Sequence, residues 1–204
     1  MSTRRKSKTP KREGSLEGQL LLAMPTMSDK RFRQAVIYMC QHSADGALGL
    51  IVNQRAGNLT LSELFEQLDL KVTDKDEAAG QHFQKRSVHV GGPVAKDRGF
   101  VLHTDDYLDR HTSLKVDQGI CLTGTVDVLR AIASGKGPEK FLLALGYSGW
   151  DPGQLEREIH ANGWLHCPAH EDLIFSDDIE HTYERALGII GVDPGFLVSE
   201  AGHA

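Results

Sequence analysis

The stretch over residues 88–103, Val-His-Val-Gly-Gly-Pro-Val-Ala-Lys-Asp-Arg-Gly-Phe-Val-Leu-His, restricts this chain more than any other. Its β-branched start and its glycine–proline break predict one strand up to Val90 and a turn at Gly91-Gly92-Pro93. A second strand is predicted over residues 99–103, leaving from Arg98. The chain before residue 88 reads as strand-rich, and the chain beyond residue 103 mixes strand with helix.

Upstream, Leu20-Leu21-Leu22-Ala23-Met24 predicts a buried strand stopped by Pro25, and residues 28–33 predict a single helical turn. Residues 35–42 and 47–53, joined by the turn signal Ser43-Ala44-Asp45-Gly46, predict a hairpin. Leu61, Leu64, Phe65 and Leu68 share one 3.6-period stripe, the mark of a short amphipathic helix behind Asn58-Leu59-Thr60. Residues 73–84 are charged and irregular and predict a mobile insertion.

Downstream come an acidic loop over residues 105–109, short strands at 114–116 and 120–122, and a strand over 140–145. A helix over 126–133 is predicted to be capped by Thr123 or Thr125 and stopped by Gly135. Gly146-Tyr147-Ser148-Gly149-Trp150 reads as a turn before a further helix. There Asp151 takes the N-cap, Pro152 the first helical position, and Gln154 the capping-box spacing. The last helix is predicted over 179–190, with Asp177 and Glu180 as its capping box and Ile179, Tyr183, Leu187 and Ile190 as its buried stripe. This order of elements assigns the chain to the α+β class with a two-layer or barrel-like sheet.

With 204 residues, 40% of them hydrophobic and 25% charged, the chain can bury one substantial core, expected as a single domain over residues 16–204. No apolar run approaches the roughly 18 residues that span a bilayer, and the basic start lacks the apolar region of a secretory signal. Cys40, Cys121 and Cys167 lie at no metal-type spacing and fit reduced thiols in a cytosol. A cytoplasmic protein without membrane insertion is therefore expected. Residues 1–15 hold six Lys or Arg against Glu13, a net of +5 in a chain of −5, which leaves −10 on residues 16–204. This predicts a disordered basic tail that meets phosphate only nonspecifically. The acidic body has neither the charge footprint nor the helix-turn-helix pattern of a direct DNA reader.

Four segments carry a resemblance in order. They are Leu22-Ala23-Met24-Pro25 with Phe32-Arg33-Gln34-Ala35-Val36; His42-Ser43-Ala44-Asp45-Gly46-Ala47-Leu48-Gly49-Leu50-Ile51-Val52-Asn53; Gly91-Gly92-Pro93-Val94 with Arg98-Gly99-Phe100-Val101-Leu102-His103; and Leu143-Ala144-Leu145-Gly146-Tyr147-Ser148-Gly149-Trp150 with Gly153-Gln154-Leu155-Glu156. With Asn162-Gly163-Trp164-Leu165 and Gly191-Val192-Asp193-Pro194, the chain over residues 16–204 resembles the AlgH/YqgE family of bacterial proteins. The resemblance implies an α+β fold whose bifurcated mixed β-sheet folds into a pseudo-barrel with flanking helices. Members are often labelled transcriptional regulators, so it implies a regulatory or binding role. It brings no activity, cofactor or catalytic residue to carry over. Gln54-Arg55-Ala56, where a proline is common, and Tyr183, where Trp is frequent, depart from the family pattern.

Three constellations invite chemistry. The tract around Ser148 has the strand–helix setting of a nucleophile elbow but carries Trp150 where that tight turn needs glycine, so it reads as structural. His166-Cys167-Pro168-Ala169-His170 has zinc-type donors in what reads as an irregular loop, with only His160 as a fourth ligand, and no metal is expected. Cys40 and His42 share a strand face and read as a buried thiol beside a hydrogen-bonded His. The candidate site is instead Arg33, His42, Asn53, Gly91, Gly92, Arg98 and His103, all at strand ends or adjoining turns. Two arginines and glycine-exposed amides can hold a carboxylate or phosphate if these ends converge. The expectation is thus a non-enzymatic regulatory or binding protein whose partner is a protein or a small anionic ligand. The rival is an anion-binding protein or enzyme with a pocket near Arg33, Arg98 and His103. Oligomeric state stays open.

Overall fold

The computed structural model describes residues 14–72, 86–117 and 119–197. Of the expected basic tail only Gly14 and Ser15 are among them, and the expected insertion at 73–84 lies outside the described residues. The order begins with β1 (Gln19–Ala23), a 3-10 turn (Lys30–Phe32), β2 (Val36–Ser43), β3 (Gly46–Ile51), β4 (Arg55–Thr60) and α1 (Leu61–Gln67). It continues with β5 (Ser87–Val90), β6 (Val94–Thr104), β7 (Ser113–Asp117), β8 (Ile120–Thr123), α2 (Val126–Ala133) and β9 (Phe141–Trp150). α3 (Gln154–His160), β10 (Trp164–Pro168), α4 (Glu171–Ile174), α5 (Thr182–Ile189) and α6 (Pro194–Leu197) complete it. No helix among the described residues is long and apolar enough to cross a membrane.

The strands run β10-β1-β2-β3-β9-β6-β8-β7, and β4 and β5 branch off this path at β9. β9 keeps β6 along one edge, antiparallel. Along the other edge Ala144 and Leu145 pair in parallel with His89 and Val90, while Ser148, Gly149 and Trp150 pair antiparallel with Gly49, Leu48 and Ala47. One strand therefore serves two branches, which makes the fold α+β with a bifurcated, mainly antiparallel sheet curled into a pseudo-barrel.

Side chains alternate between two filled faces, because successive residues of a strand point to opposite sides. Leu20, Leu22, Val36, Tyr38, Leu50, Phe100, Leu102, Leu142 and Ala144 face an interior that Leu173, Ile174, Tyr183 and Leu187 of α4 and α5 close. Their neighbours Leu21, Ile37, Met39 and Ile51 face outward under Trp150, Leu155 and Trp164. Val88, Val101, Phe141 and Leu143 do the same under α1 and α2 through Phe65, Val128 and Leu129. Burial on both faces explains why these strands read as unbroken apolar runs. A half-buried polar clasp joins the outer layer: Glu158 Oε2 accepts from Trp150 Nε1 at 2.9 Å and from Trp164 Nε1 at 2.7 Å.

Several boundaries differ from the sequence expectation. The tract after Leu145 is not a turn, because β9 runs on to Trp150. Gly146, at φ 71°, bends the strand and lets it change partner without ending. β6 begins at Val94 instead of Gly99, across a register shift that places Ala95 at φ 48°. β4 is an additional strand: Gly57 and Asn58 lower its strand propensity, and it exists through pairing with β5. Residues 164–168 form a strand paired with β1, not a loop, and Pro168 sits at its last position on the outer edge, where its missing N–H costs no ladder bond. α3 starts at Gln154 behind Gly153 at φ 70°, so Pro152 lies outside it; only the Gln154 half of the expected box forms, onto the Asp151 N–H at 3.0 Å. α5 starts at Thr182 with no side-chain cap, so the Asp177/Glu180 box is absent, although Ile179 is still buried. α1 does carry a reciprocal capping box between Thr60 and Glu63.

The branch point yields a stability prediction. A Cβ at Gly92 would lie 2.2 Å from the Tyr147 carbonyl carbon, while nothing lies within 4 Å of one at Gly188 on the exposed face of α5. Gly92→Ala is expected to cost about 3 kcal/mol through overpacking, and Gly188→Ala to gain about 1 kcal/mol through helix propensity. Urea unfolding of the two variants beside the parent checks both signs.

Candidate functional site

The expected site residues divide into separate places. His42 is a structural staple: its Nδ1 accepts from the Leu16 N–H at 3.0 Å and its Nε2 donates to Glu156 Oε1 at 3.1 Å. Asn53 mimics backbone, accepting from the Val36 N–H at 2.8 Å and donating to the Gln34 carbonyl at 2.9 Å. The Gly91 amide does not face a cavity; it donates to the Leu145 carbonyl at 2.8 Å, while Gly92 presses against the Tyr147 backbone. Arg98 is exposed, with its guanidinium 5.2 Å above the Phe100 ring. His103 is fully buried. Its Nδ1 donates to the Thr104 carbonyl at 2.8 Å, so its Nε2 accepts from Thr123 Oγ1 at 2.8 Å, and Ser113 Oγ stands 2.7 Å behind that hydroxyl.

Arg33 and Asn53 alone of the set line a common groove, together with Gln54, Arg55, Ile179, Glu180 and Tyr183. That groove shares Arg55 and Ile179 with a neighbouring cleft of about 270 Å³, walled also by Arg86, Ser87, His89, Phe141 and Phe175. Neither Arg98 nor His103 is part of either lining. The two hollows adjoin at Arg55 and Ile179, between the β4–β5 branch and the segment joining α4 to α5. Residues 175–177 of that segment are tied down, since Ser176 Oγ accepts from Arg185 Nη1 at 3.0 Å while Arg185 Nη2 holds Asp172 at 2.9 Å.

Sequence reasoning missed Arg55, Arg86 and His89, which the branch brings together. Arg55 and His89 are directly paired across β4 and β5, so their side chains leave the same face. Arg86 lies beside them with its guanidinium 5.1 Å over the Phe141 ring. Among the described residues none of Arg33, Arg55 and Arg86 forms an ion pair. The acids nearest the mouth, Asp177 and Glu180, are exposed and unpaired with them. The one signal available in the sequence is His89 itself, a polar residue inside a Val-His-Val strand buried on both faces.

The other two constellations resolve through strand alternation. Ser148 is fully buried in mid-strand and donates to the Gly91 carbonyl at 3.3 Å. Cys167 points into the core while its neighbour His166 points outward to Gln19 Oε1 at 2.9 Å, so the two donors diverge.

Burial pushes the His89 imidazole down from 6.5 to about 4, with the Val52 carbonyl opposing and Arg55 adding to the fall. The unfolded chain therefore takes up this proton first as pH falls. The stability tied to His89 is full above pH 6.5 and is lost on descent to about 4, an effect of roughly 3 kcal/mol. Burial lowers His103 in the same sense. Urea midpoints measured from pH 7 downward are expected to fall, and the fall is expected to shrink in His89→Leu.

The same architecture recurs in known proteins. Residues 20–195 match the AlgH-like family. A UPF0301 protein of Bradyrhizobium diazoefficiens is 53% identical, with 96% of this chain and 91% of that protein covered. One of Rhodopseudomonas palustris is 54% identical over 93% of this chain and 87% of its own. The solution structure of the AlgH protein from Pseudomonas aeruginosa superimposes with a TM-score of 0.72 at 40% identity, covering 98% of this chain and 100% of that one. A Corynebacterium diphtheriae protein shares the fold at 18% identity and a TM-score of 0.65, over 83% and 84% of the two chains. With its bifurcated sheet, its motifs and relatives of this similarity, the chain belongs to the AlgH-like family.

Proposed function

We propose that this chain is a cytoplasmic binding protein for a small organic anion, held in the groove of Arg33, Arg55 and Arg86. Any regulatory role then runs through that ligand and not through direct contact with DNA. The observation that supports this is the gathering of three arginines around two adjoining hollows, with Arg55 lining both and none of the three in an ion pair among the described residues. Guanidinium groups bind carboxylate and phosphate through paired donors and are worth most when partly shielded from water. The anion site lies in a chain of net charge −5, so its attraction is local and short in range.

Binding is favoured over catalysis because Ser148 and His103, two reactive side chains near the branch, are already committed. Ser148 has no access, and both ring nitrogens of His103 are bonded within the fold. The cytoplasmic reading is supported by three buried cysteines that remain free thiols.

Titration with succinate at low ionic strength, monitored by heteronuclear NMR, is expected to give saturable shifts at residues of β4, β5 and the α4–α5 segment. Arg55→Ala is expected to weaken binding about tenfold, the loss of one charge-assisted contact, and Arg98→Ala to leave it unchanged. Unsaturable shifts, or an Arg98 effect as large as that of Arg55, would overturn the reading.

A further inference from the structure

A trough of about 410 Å³ crosses the sheet where β2, β3, β9 and β6 lie side by side. Register sets its floor. Gln41 pairs with Leu48, Leu48 with Gly149, and Tyr147 with Val94, so the side chains of Leu48, Tyr147 and Val94 leave one face of the sheet. Val94 is 39% exposed, a large apolar side chain left in the open. Asp45 and Asp151 stand at the rim, both exposed, and neither forms an ion pair among the described residues. No Lys or Arg among the described residues lines the trough. An apolar floor with unmet carboxylates at its edge fits Lys and Arg side chains, whose stems cover apolar surface while their charges reach outward. The half-buried Tyr147 adds an aromatic surface that attracts cations.

The chain itself delivers such side chains to this place. Residues 14–18 run along β2: the Gly18 N–H donates to the Met39 carbonyl at 2.8 Å, the Leu16 N–H to His42 Nδ1 at 3.0 Å, and Ser15 Oγ to the His42 carbonyl at 3.3 Å. Gly14 is therefore placed beside His42, next to Ser43 on the rim of the trough. Residues 1–13 hold Arg4, Arg5, Lys6, Lys8, Lys11 and Arg12 against Glu13. Four strands side by side are roughly 14 Å across, which about five residues of extended chain cover. Lys11 and Arg12 fall inside that span. The acidic loop over residues 105–109 is a weaker rival because its carboxylates are engaged. Asp105 holds Lys115 at 2.7 Å, Asp106 accepts from Thr104 Oγ1 and the Glu139 N–H, and Asp109 accepts from the His111 N–H at 2.9 Å.

We infer that residues 1–13 of this chain dock across the trough, with Lys and Arg stems over Leu48, Val94 and Tyr147 and their charges on Asp45 and Asp151. The contact does not depend on the arginine hollows, whose linings share no residue with the trough. A tail held in this way closes the trough to other basic segments. It is also withdrawn from phosphate, which must compete with two carboxylates for it.

A spin label reads the contact on the full chain. Cys40, Cys121 and Cys167 are all buried, so a nitroxide on Ser7→Cys marks the tail alone. The amides of Val94, Tyr147 and Gly149 are expected to relax faster than those of residues 156–160 on α3, which also meets the exit point because His42 touches Glu156. The excess is expected to vanish in about 1 M NaCl, where charges are screened within roughly 3 Å. It is expected to fall about fivefold in Asp45→Asn/Asp151→Asn, the effect of losing two exposed ion pairs. Equal relaxation on the two sides of Gly14, stronger relaxation at residues 105–109, or an excess that survives salt overturns the docking. A nitroxide-bearing chain mixed with an isotope-enriched unlabelled one separates the occupants, and relaxation of the trough between copies overturns docking within one chain. The parent and salt measurements leave the trough unaltered, so a carboxylate variant that fails to fold shelters nothing.

Discussion

Close backbone packing at Gly91, Gly92 and Gly146 is the constraint on which the rest of the structure depends. A Cβ at Gly91 would lie 2.2 Å from the Gly146 carbonyl oxygen, and one at Gly146 would lie 2.6 Å from that of Gly92. Only glycine permits such an approach. The Gly91 carbonyl accepts from the Ile51 N–H at 2.9 Å, and its N–H reaches Leu145, so one residue ties β3, β5 and β9 together. Ser148 Oγ closes the same knot. Because β9 bends there, β5 can leave the barrel path and take β4 with it. Without the knot there is no branch, and without the branch no wall for the groove.

The branch also explains why cations collect where they do. A strand pair standing off the barrel has one face toward its own core, where Leu61, Phe65 and Val88 pack, and another toward the α4–α5 segment. Cross-strand pairing then places Arg55 beside His89 whatever their interaction, since backbone register and not charge sets the position. Arg55 beside an imidazole is unfavourable for a proton on that ring and favourable for an anion near it. Asp177 and Glu180 are close enough to line the hollows, yet neither is paired with Arg55.

Much of the architecture was legible because strand alternation and turn chemistry are local. The 35–53 hairpin, the α1 stripe and the Gly91-Gly92 break come from patterns a few residues long. What could not be read depends on distant partners. Arg55-Ala-Gly-Asn-Leu-Thr has no strand signature and becomes β4 only because β5 lies beside it. Gly146 looks like the start of a turn, and only contact with Gly92 shows it to be a bend inside one strand. The candidate site suffered in the same way. Arg33 and Asn53 meet in one groove, but His42 and His103 are drawn into hydrogen bonds with Leu16, Glu156, Thr104 and Thr123 that no local pattern announces.

The two buried histidines make the sharpest internal comparison. Both sit on strands next to β9, His103 paired with Phe141 and His89 with Ala144, and burial depresses both. At His103 the fold supplies a carbonyl for one nitrogen and a hydroxyl for the other, with Ser113 reinforcing that hydroxyl. At His89 the Nδ1 has no hydrogen-bond partner among the described residues. A hydrophobic residue at position 89 would remove the unmet demand and make residues 88–90 a continuous apolar run. A histidine there, opposite an arginine without an ion pair among the described residues and over a cleft, leaves a polar demand at the place where the proposed anion would sit.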